Sequence, residues 1–112
     1  MIREEDMYIR NLSGTIMYKD TPVFDFSIVN GELVKYRQYR EDSVNLPPEI
    51  SLWGYSYNNI NCFFRRRVVK DGAMWITEYL HAMGMEKYDF ESIVRFHHGK
   101  NYLDNYWIKD MI

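Results

Sequence analysis

Cysteine is almost missing from this chain, which carries one, Cys62, in 112 residues. No intrachain disulfide can form, and a lone thiol fits a reducing compartment, so a cytoplasmic site is expected. No apolar run approaches the roughly 20 residues needed to span a bilayer. The start, Met1-Ile2-Arg3-Glu4-Glu5-Asp6, is charged with no apolar stretch behind it, so neither secretion nor membrane insertion is expected. Charge of one sign is also lacking: 14 basic against 16 acidic residues leave a formal charge of −2. No global field attracts nucleic acid and none imitates it, which leaves either role to a local patch.

The constellations that carry chemistry are missing as well. Phosphoryl transfer needs a phosphate-covering loop, a lysine near the phosphates, a catalytic aspartate and Mg²⁺ ligands held together. Asp89-Phe90-Glu91 lacks the glycine of a metal-holding Asp-Phe-Gly and opens a helix, and His98-Gly99-Lys100-Asn101 lacks the flanking glycines of a Walker loop. No serine, histidine and acid share a local motif, and Cys62 is expected on the buried side of a helix as a small apolar residue. The carboxylates of Glu4-Glu5-Asp6 and Glu41-Asp42 fall in terminal or loop contexts where solvated charge is the default. His81, His97, His98 and Cys62 are all the soft ligands, and four is the number a structural zinc requires. Adjacent His97 and His98 point about 100° apart on a helix. Neither a C-x-x-C nor an H-x₃₋₅-H pair exists, so only tertiary contacts could bring the four together. No enzymatic activity, cofactor or metal site is expected.

What the chain does have is ordinary globular stuff with an aromatic excess. Apolar residues are 46% and charged residues 27%, and the length suits one domain over 1–112. Aromatics reach 17%, with ten Tyr and three Trp. Tyrosine joins an apolar ring to a polar tip, so the excess serves a half-buried sheet face or a partner-binding surface.

Along the chain, residues 1–40 predict a β-meander, 41–59 a crossover, 60–99 helices and 102–109 a final strand. Thr15-Ile16-Met17-Tyr18 precedes the turn Lys19-Asp20-Thr21-Pro22, and Val23–Ile28 alternates so that Phe24, Phe26 and Ile28 share a face. Asn30-Gly31 marks a hairpin, since both central positions of a type I′ turn need positive φ. Leu33–Tyr39 is the return strand, and Met7–Arg10 is a candidate edge strand. Pro47 removes a donor and holds Leu46 extended, so no helix should run through it. Beyond Asn59, Ile60, Phe63, Phe64 and Val68 take helical spacing. Asp71 is placed to cap a helix over 72–83, with Ala73, Ile76, Leu80 and Met83 inward, Trp75 and Tyr79 on a second stripe, and Gly84 after its end. Asp89 is placed to cap a shorter helix through His97, with Phe90, Ile93, Val94 and His97 inward and Gly99 ending it. The expected fold is α+β: an antiparallel sheet of three or four strands covered on one face by about three short helices, with a C-terminal strand. Phe24, Phe26, Phe63, Phe64, Ile76, Leu80, Ile93 and Trp107 are the expected core.

The densest positive charge is Arg65-Arg66-Arg67 with Lys70 one turn on. Three consecutive helical residues span about 200°, so the three guanidinium groups cannot all address one groove. A solvated or salt-bridged face and a site for phosphate or an acidic partner both remain open.

The order of features in the C-terminal half is an aromatic pair and arginine cluster in Asn61-Cys62-Phe63-Phe64-Arg65-Arg66-Arg67-Val68-Val69, a helix closed at Met83-Gly84, a second short helix, and Leu103-Asp104-Asn105-Tyr106-Trp107-Ile108-Lys109. With Asp20-Thr21-Pro22-Val23-Phe24-Asp25-Phe26 before it, this order resembles the N-terminal, non-catalytic module of HipA-like kinases, particularly those of Gram-positive mobile elements. The resemblance implies a small mixed α/β unit that packs on a kinase core, and in HipA itself a front region that faces the antitoxin. No kinase core follows here, so a free-standing module is expected. Val68-Val69-Lys70-Asp71 stands where the family has a small-polar "IP-x-SR" segment, and His97–Asn105 replaces its Gly-Leu-Ser-Leu run.

A small, tyrosine-rich module without catalytic groups is expected to bind another protein. Inhibitors of bacterial immune systems carried by phage and mobile elements, anti-CRISPR proteins among them, share that size and composition. A HipA-like regulator docking on a separately encoded kinase core or antitoxin is the alternative, and a nucleic-acid-binding module using the arginine patch is the weaker one. The expected contact surface is Arg65, Arg66, Arg67 and Lys70 with Tyr55 and Tyr57, because arginine and tyrosine dominate binding hot spots.

Overall fold

The computed structural model describes residues 7–42, 45–68, 73–101 and 104–112. Lys70, the proposed cap Asp71, and Tyr102 and Leu103 of the expected final strand lie outside the described residues. Three strands follow one another as β1 (Leu12–Tyr18), β2 (Thr21–Val29) and β3 (Glu32–Gln38), and the chain closes with β4 (Tyr106–Lys109). All pairings are antiparallel and the order across the sheet is β3-β2-β1-β4. The α+β class and the C-terminal strand are as expected.

Period-2 alternation decides which side chains face the helices. Leu12, Gly14 and Ile16 of β1 lie opposite Ile28, Phe26 and Phe24 of β2, and Ile16 also lies opposite Ile108 of β4. These apolar side chains are buried together with Ile60, Phe63 and Phe64. Trp107 has the opposite parity: it lies across from Met17, is half-buried, and donates its Nε1–H to the Lys19 carbonyl at 2.6 Å. The expected core position therefore belongs to Ile108, one residue on. The far face carries polar pairs, with Thr15 donating to Asp25 at 2.7 Å and the Ser13 and Ser27 hydroxyls 2.7 Å apart.

Among the described residues four helices accompany the sheet: α1 (Pro48–Ser51), α2 (Tyr57–Arg65), α3 (Ile76–Ala82) and α4 (Phe90–His97). The crossover holds α1, a single turn that starts with Pro at its first position, where the missing N–H costs nothing. Ser56 caps α2 by accepting from Asn59 N at 3.1 Å. Ile60, Phe63 and Phe64 are buried as the spacing predicted, but Asn61 is buried too and Cys62 is only half-buried. The second expected helix, over 72–83, is shorter than predicted: Ala73, Met74 and Trp75 are outside α3, which starts at Ile76, and Ile76 is half-buried while Leu80 alone is sealed. Asp89 occupies the cap position of α4 without bonding its backbone, and its carboxylate instead accepts from the Ser92 hydroxyl.

Met7–Arg10 is not a strand, although Met7 and Ile9 are fully buried. Side chains replace the ladder there. Asn61 accepts from Ile9 N at 2.8 Å and donates to Met7 O at 3.0 Å, while Tyr57 donates to Ile9 O at 2.8 Å. Buried backbone groups must be paired, and one carboxamide supplies both a donor and an acceptor.

The two edges of the sheet differ. At β4, Ile108 N donates to His98 O at 2.7 Å and Tyr106 O accepts from Arg67 at 3.0 Å, so the turn after α4 and one guanidinium close that edge. Ile108 is held between two glycines: a Cβ on Gly14 would meet its Cγ2 at 2.7 Å, and one on Gly99 its Cγ1 at 2.6 Å.

Candidate functional site

The arginine cluster divides three ways: Arg65 ends α2, Arg66 is its C-cap with helical backbone, and Arg67 follows beyond the cap. Arg65 lies over the Tyr8 ring at 5.5 Å. Arg66 is exposed and sits 5.1 Å from the Trp53 ring, with its Nη1 3.5 Å from Glu49 Oε1. Glu49 is itself buried, and its Oε2 has no hydrogen-bond partner among the described residues. Arg67 turns inward.

Only 5% of the Arg67 side chain is exposed. It donates to both oxygens of Asp104 at 2.6 and 2.8 Å and to Gly99 O at 2.7 Å, and it stacks 4.7 Å from Phe63. A bidentate guanidinium with every face engaged binds the fold together and offers nothing to a partner. Burial pushes the Asp104 carboxyl up, but the hydrogen bonds from Arg67 and from Tyr106 N, with the Arg67 charge, outweigh it and hold the group below the usual carboxylate range.

The two tyrosines also separate. Tyr57 stacks on Tyr8 at 6.2 Å and gives its hydroxyl to Ile9 O, so it is a structural contact, and burial raises its phenol above the ordinary value. Tyr55 is 46% exposed and belongs to a strip with Trp53 at 52%, Tyr36 at 53% and Leu52 at 75%. Tyr55 stacks on Tyr36 at 4.9 Å and on buried Phe24 at 5.7 Å, and its hydroxyl bonds Gln38. Asn59 fixes the turn that presents these rings by donating to Trp53 O at 2.9 Å and Gly54 O at 2.8 Å, while Gly54 takes φ +95, which side chains rarely adopt. The exposed strip therefore joins Arg66 and Tyr55 of the expected site to Trp53, Leu52 and Tyr36, which sequence reasoning passed over. Trp53 and Leu52 carried a signal: large apolar residues after Pro47-Pro48, in a stretch with no core period.

A second concavity, about 910 Å³, lies where the β1–β2 turn, α3, the end of α4 and β4 meet. Trp75, Tyr79, His97 and Trp107 line it, with Lys19, Lys100 and the Arg67–Asp104 pair. The Tyr79 hydroxyl lies 2.6 Å from His97 Nε2, and burial pushes the Tyr79 phenol up and the His97 imidazolium down. Burial, with help from the Asp104 charge, pushes the Tyr106 phenol up to about 12. Desolvation, which disfavours the charged form, is the largest cause of each of these shifts. Among the described residues no three His, Cys, Asp or Glu side chains converge, so Cys62, His81, His97 and His98 do not form a ligand set. No helix among the described residues is long and apolar enough to cross a membrane. Compared with known protein families, with characterised proteins and with solved structures, the chain matches none.

Proposed function

We propose that this chain is a non-enzymatic protein-binding module that acts through the Trp53, Tyr55, Tyr36 and Arg66 surface, as an inhibitor of the kind phage and mobile elements direct against bacterial immune proteins. The observation that carries the proposal is the exposed aromatic strip, in which Tyr36 and Tyr55 stack on each other and Trp53 stands on a turn that Asn59 holds by hydrogen bonds, all three about half in solvent. Trp, Tyr and Arg are the residues most enriched at binding hot spots, and a rigid presentation lowers the ordering entropy lost on association. Arg66 adds an exposed cation beside Trp53, which favours a partner with acidic groups at that end and speeds encounter at low salt.

The test is a pull-down from host lysate, with and without nuclease, comparing wild type with a folded Trp53→Ala/Arg66→Glu variant. Retention of a specific protein after nuclease, lost in the variant, is expected. Truncating a hot-spot Trp weakens binding by about 2 kcal/mol or more, roughly 30-fold in Kd. Partners that disappear with nuclease would move the function to nucleic acid, and an identical partner set for the variant would remove this surface from the account. Recovery of a kinase core or an antitoxin would identify the HipA-like regulator.

A further inference from the structure

The cleft beside β4 is separate from the exposed strip, and Trp75 and Trp107 keep part of their ring surface uncovered there. We infer that it binds a nucleobase carrying a phosphate, presented by a free nucleotide or by a single-stranded nucleic acid. The cleft holds two indoles and a phenol, Trp75, Trp107 and Tyr79, in a volume of about 910 Å³, within the range of ligand sites. Trp75 remains 53% exposed although Tyr79 packs against it edge-on at 5.6 Å, so a face of the indole is open to a planar ligand. Every base has a π-face, and stacking on an aromatic side chain contributes about 1–3 kcal/mol per base.

The charges on the lining select the other half of the ligand. Lys19 and Lys100 are exposed, and Lys100 Nζ lies 5.9 Å from the Trp107 ring, beside a stacking surface. The Asp104 charge is cancelled by its bidentate pair with Arg67, which leaves two lysines against Asp20. A phosphate placed on the lysines and a base placed on the indoles would leave the Asp20 carboxylate as an acceptor for N–H groups on the base edge. A phosphate would gain charge-assisted hydrogen bonds from the two exposed ammonium groups that an uncharged aromatic could not. No catalytic step is implied.

The test is tryptophan fluorescence in a Trp53→Phe background, which leaves Trp75 and Trp107 as the reporters. The probes are AMP, GMP and UMP, the matching nucleosides, and a short single-stranded oligonucleotide. Saturable quenching by nucleotide or oligonucleotide is expected. Nucleosides should bind about tenfold more weakly, since charge-assisted hydrogen bonds to phosphate are the strong ones. Lys19→Glu/Lys100→Glu exchanges two exposed residues, so it should keep the melting temperature while losing the binding. Saturation by mononucleotides identifies a free nucleotide as the source. Binding by the oligonucleotide alone, falling steeply with salt, identifies a strand. Absence of saturable quenching by every probe would overturn the inference, as would equal affinity for nucleosides or full binding by the lysine variant.

Discussion

Asn61 directs both ends of one carboxamide at the entering chain, bonding Ile9 N and Met7 O inside the core. Replacing it with Leu keeps the volume but strands a buried N–H and a buried C=O, each worth about 1–3 kcal/mol when unpaired. Asn61→Leu should therefore lower stability by about 2–6 kcal/mol in denaturant unfolding. An unchanged midpoint would show that those backbone groups find other partners. The Arg67–Asp104 clasp gives a pH signature. Because the folded pKa of Asp104 is depressed, its contribution is fully present above the ordinary carboxylate range and is lost as pH falls through the folded value. Melting temperatures of wild type and Asp104→Asn should differ at pH 7 and converge in acid, and a constant gap down to pH 2 would contradict the clasp. Neither residue announced itself in the sequence. Asn61 lies among Cys62, Phe63 and Phe64 with no mark of burial, and Arg67 reads as one of three equivalent arginines until the end of α2 turns it inward.

Among the elements, the meander was legible because alternation, the Asn30-Gly31 turn and Pro22 all point the same way. β1 and β2 extend the expected strands by a few residues, with Thr21 and Pro22 of the expected turn inside β2, while β3 is shifted back by one and β4 begins only at Tyr106. The helices were legible where buried apolar residues recur at helical spacing, as in α2 and α4. They were less so in α3, where a stripe of Ala73, Ile76 and Leu80 overstated the first turn. Trp107 was misplaced by one residue because a short strand gives too few alternations to fix its parity, and pairing of Ile108 with Ile16 sets it. The fit of β4 onto α4 rests on Ile108 sitting against Gly99, which also holds φ +67. Gly99→Ala adds both a clash and a strained backbone, so it should destabilise by more than about 1 kcal/mol. A stability equal to wild type would remove that packing from the account. Phe63→Ala, which empties a fully buried site between Phe64 and Tyr106, should cost about 3–5 kcal/mol by thermal or chemical unfolding.

At the scale of the whole molecule, the fold closes one side and leaves another open. Arg67 and the turn after α4 cover the β4 edge, while Trp53, Tyr55 and Tyr36 remain in solvent on the β3 side. The proposed binding surface was half legible. Arg66 and Tyr55 followed from hot-spot composition, whereas Tyr36 needed the sheet register and Trp53 needed the Asn59-held turn to be placed beside them. The most direct measurement is amide hydrogen exchange on the captured complex against the free protein. Binding through this surface should protect the amides of residues 51–57 and 34–39 and leave β4 and α4 unchanged. Protection confined to β4 and α4, with 51–57 and 34–39 exchanging as in the free chain, would contradict it.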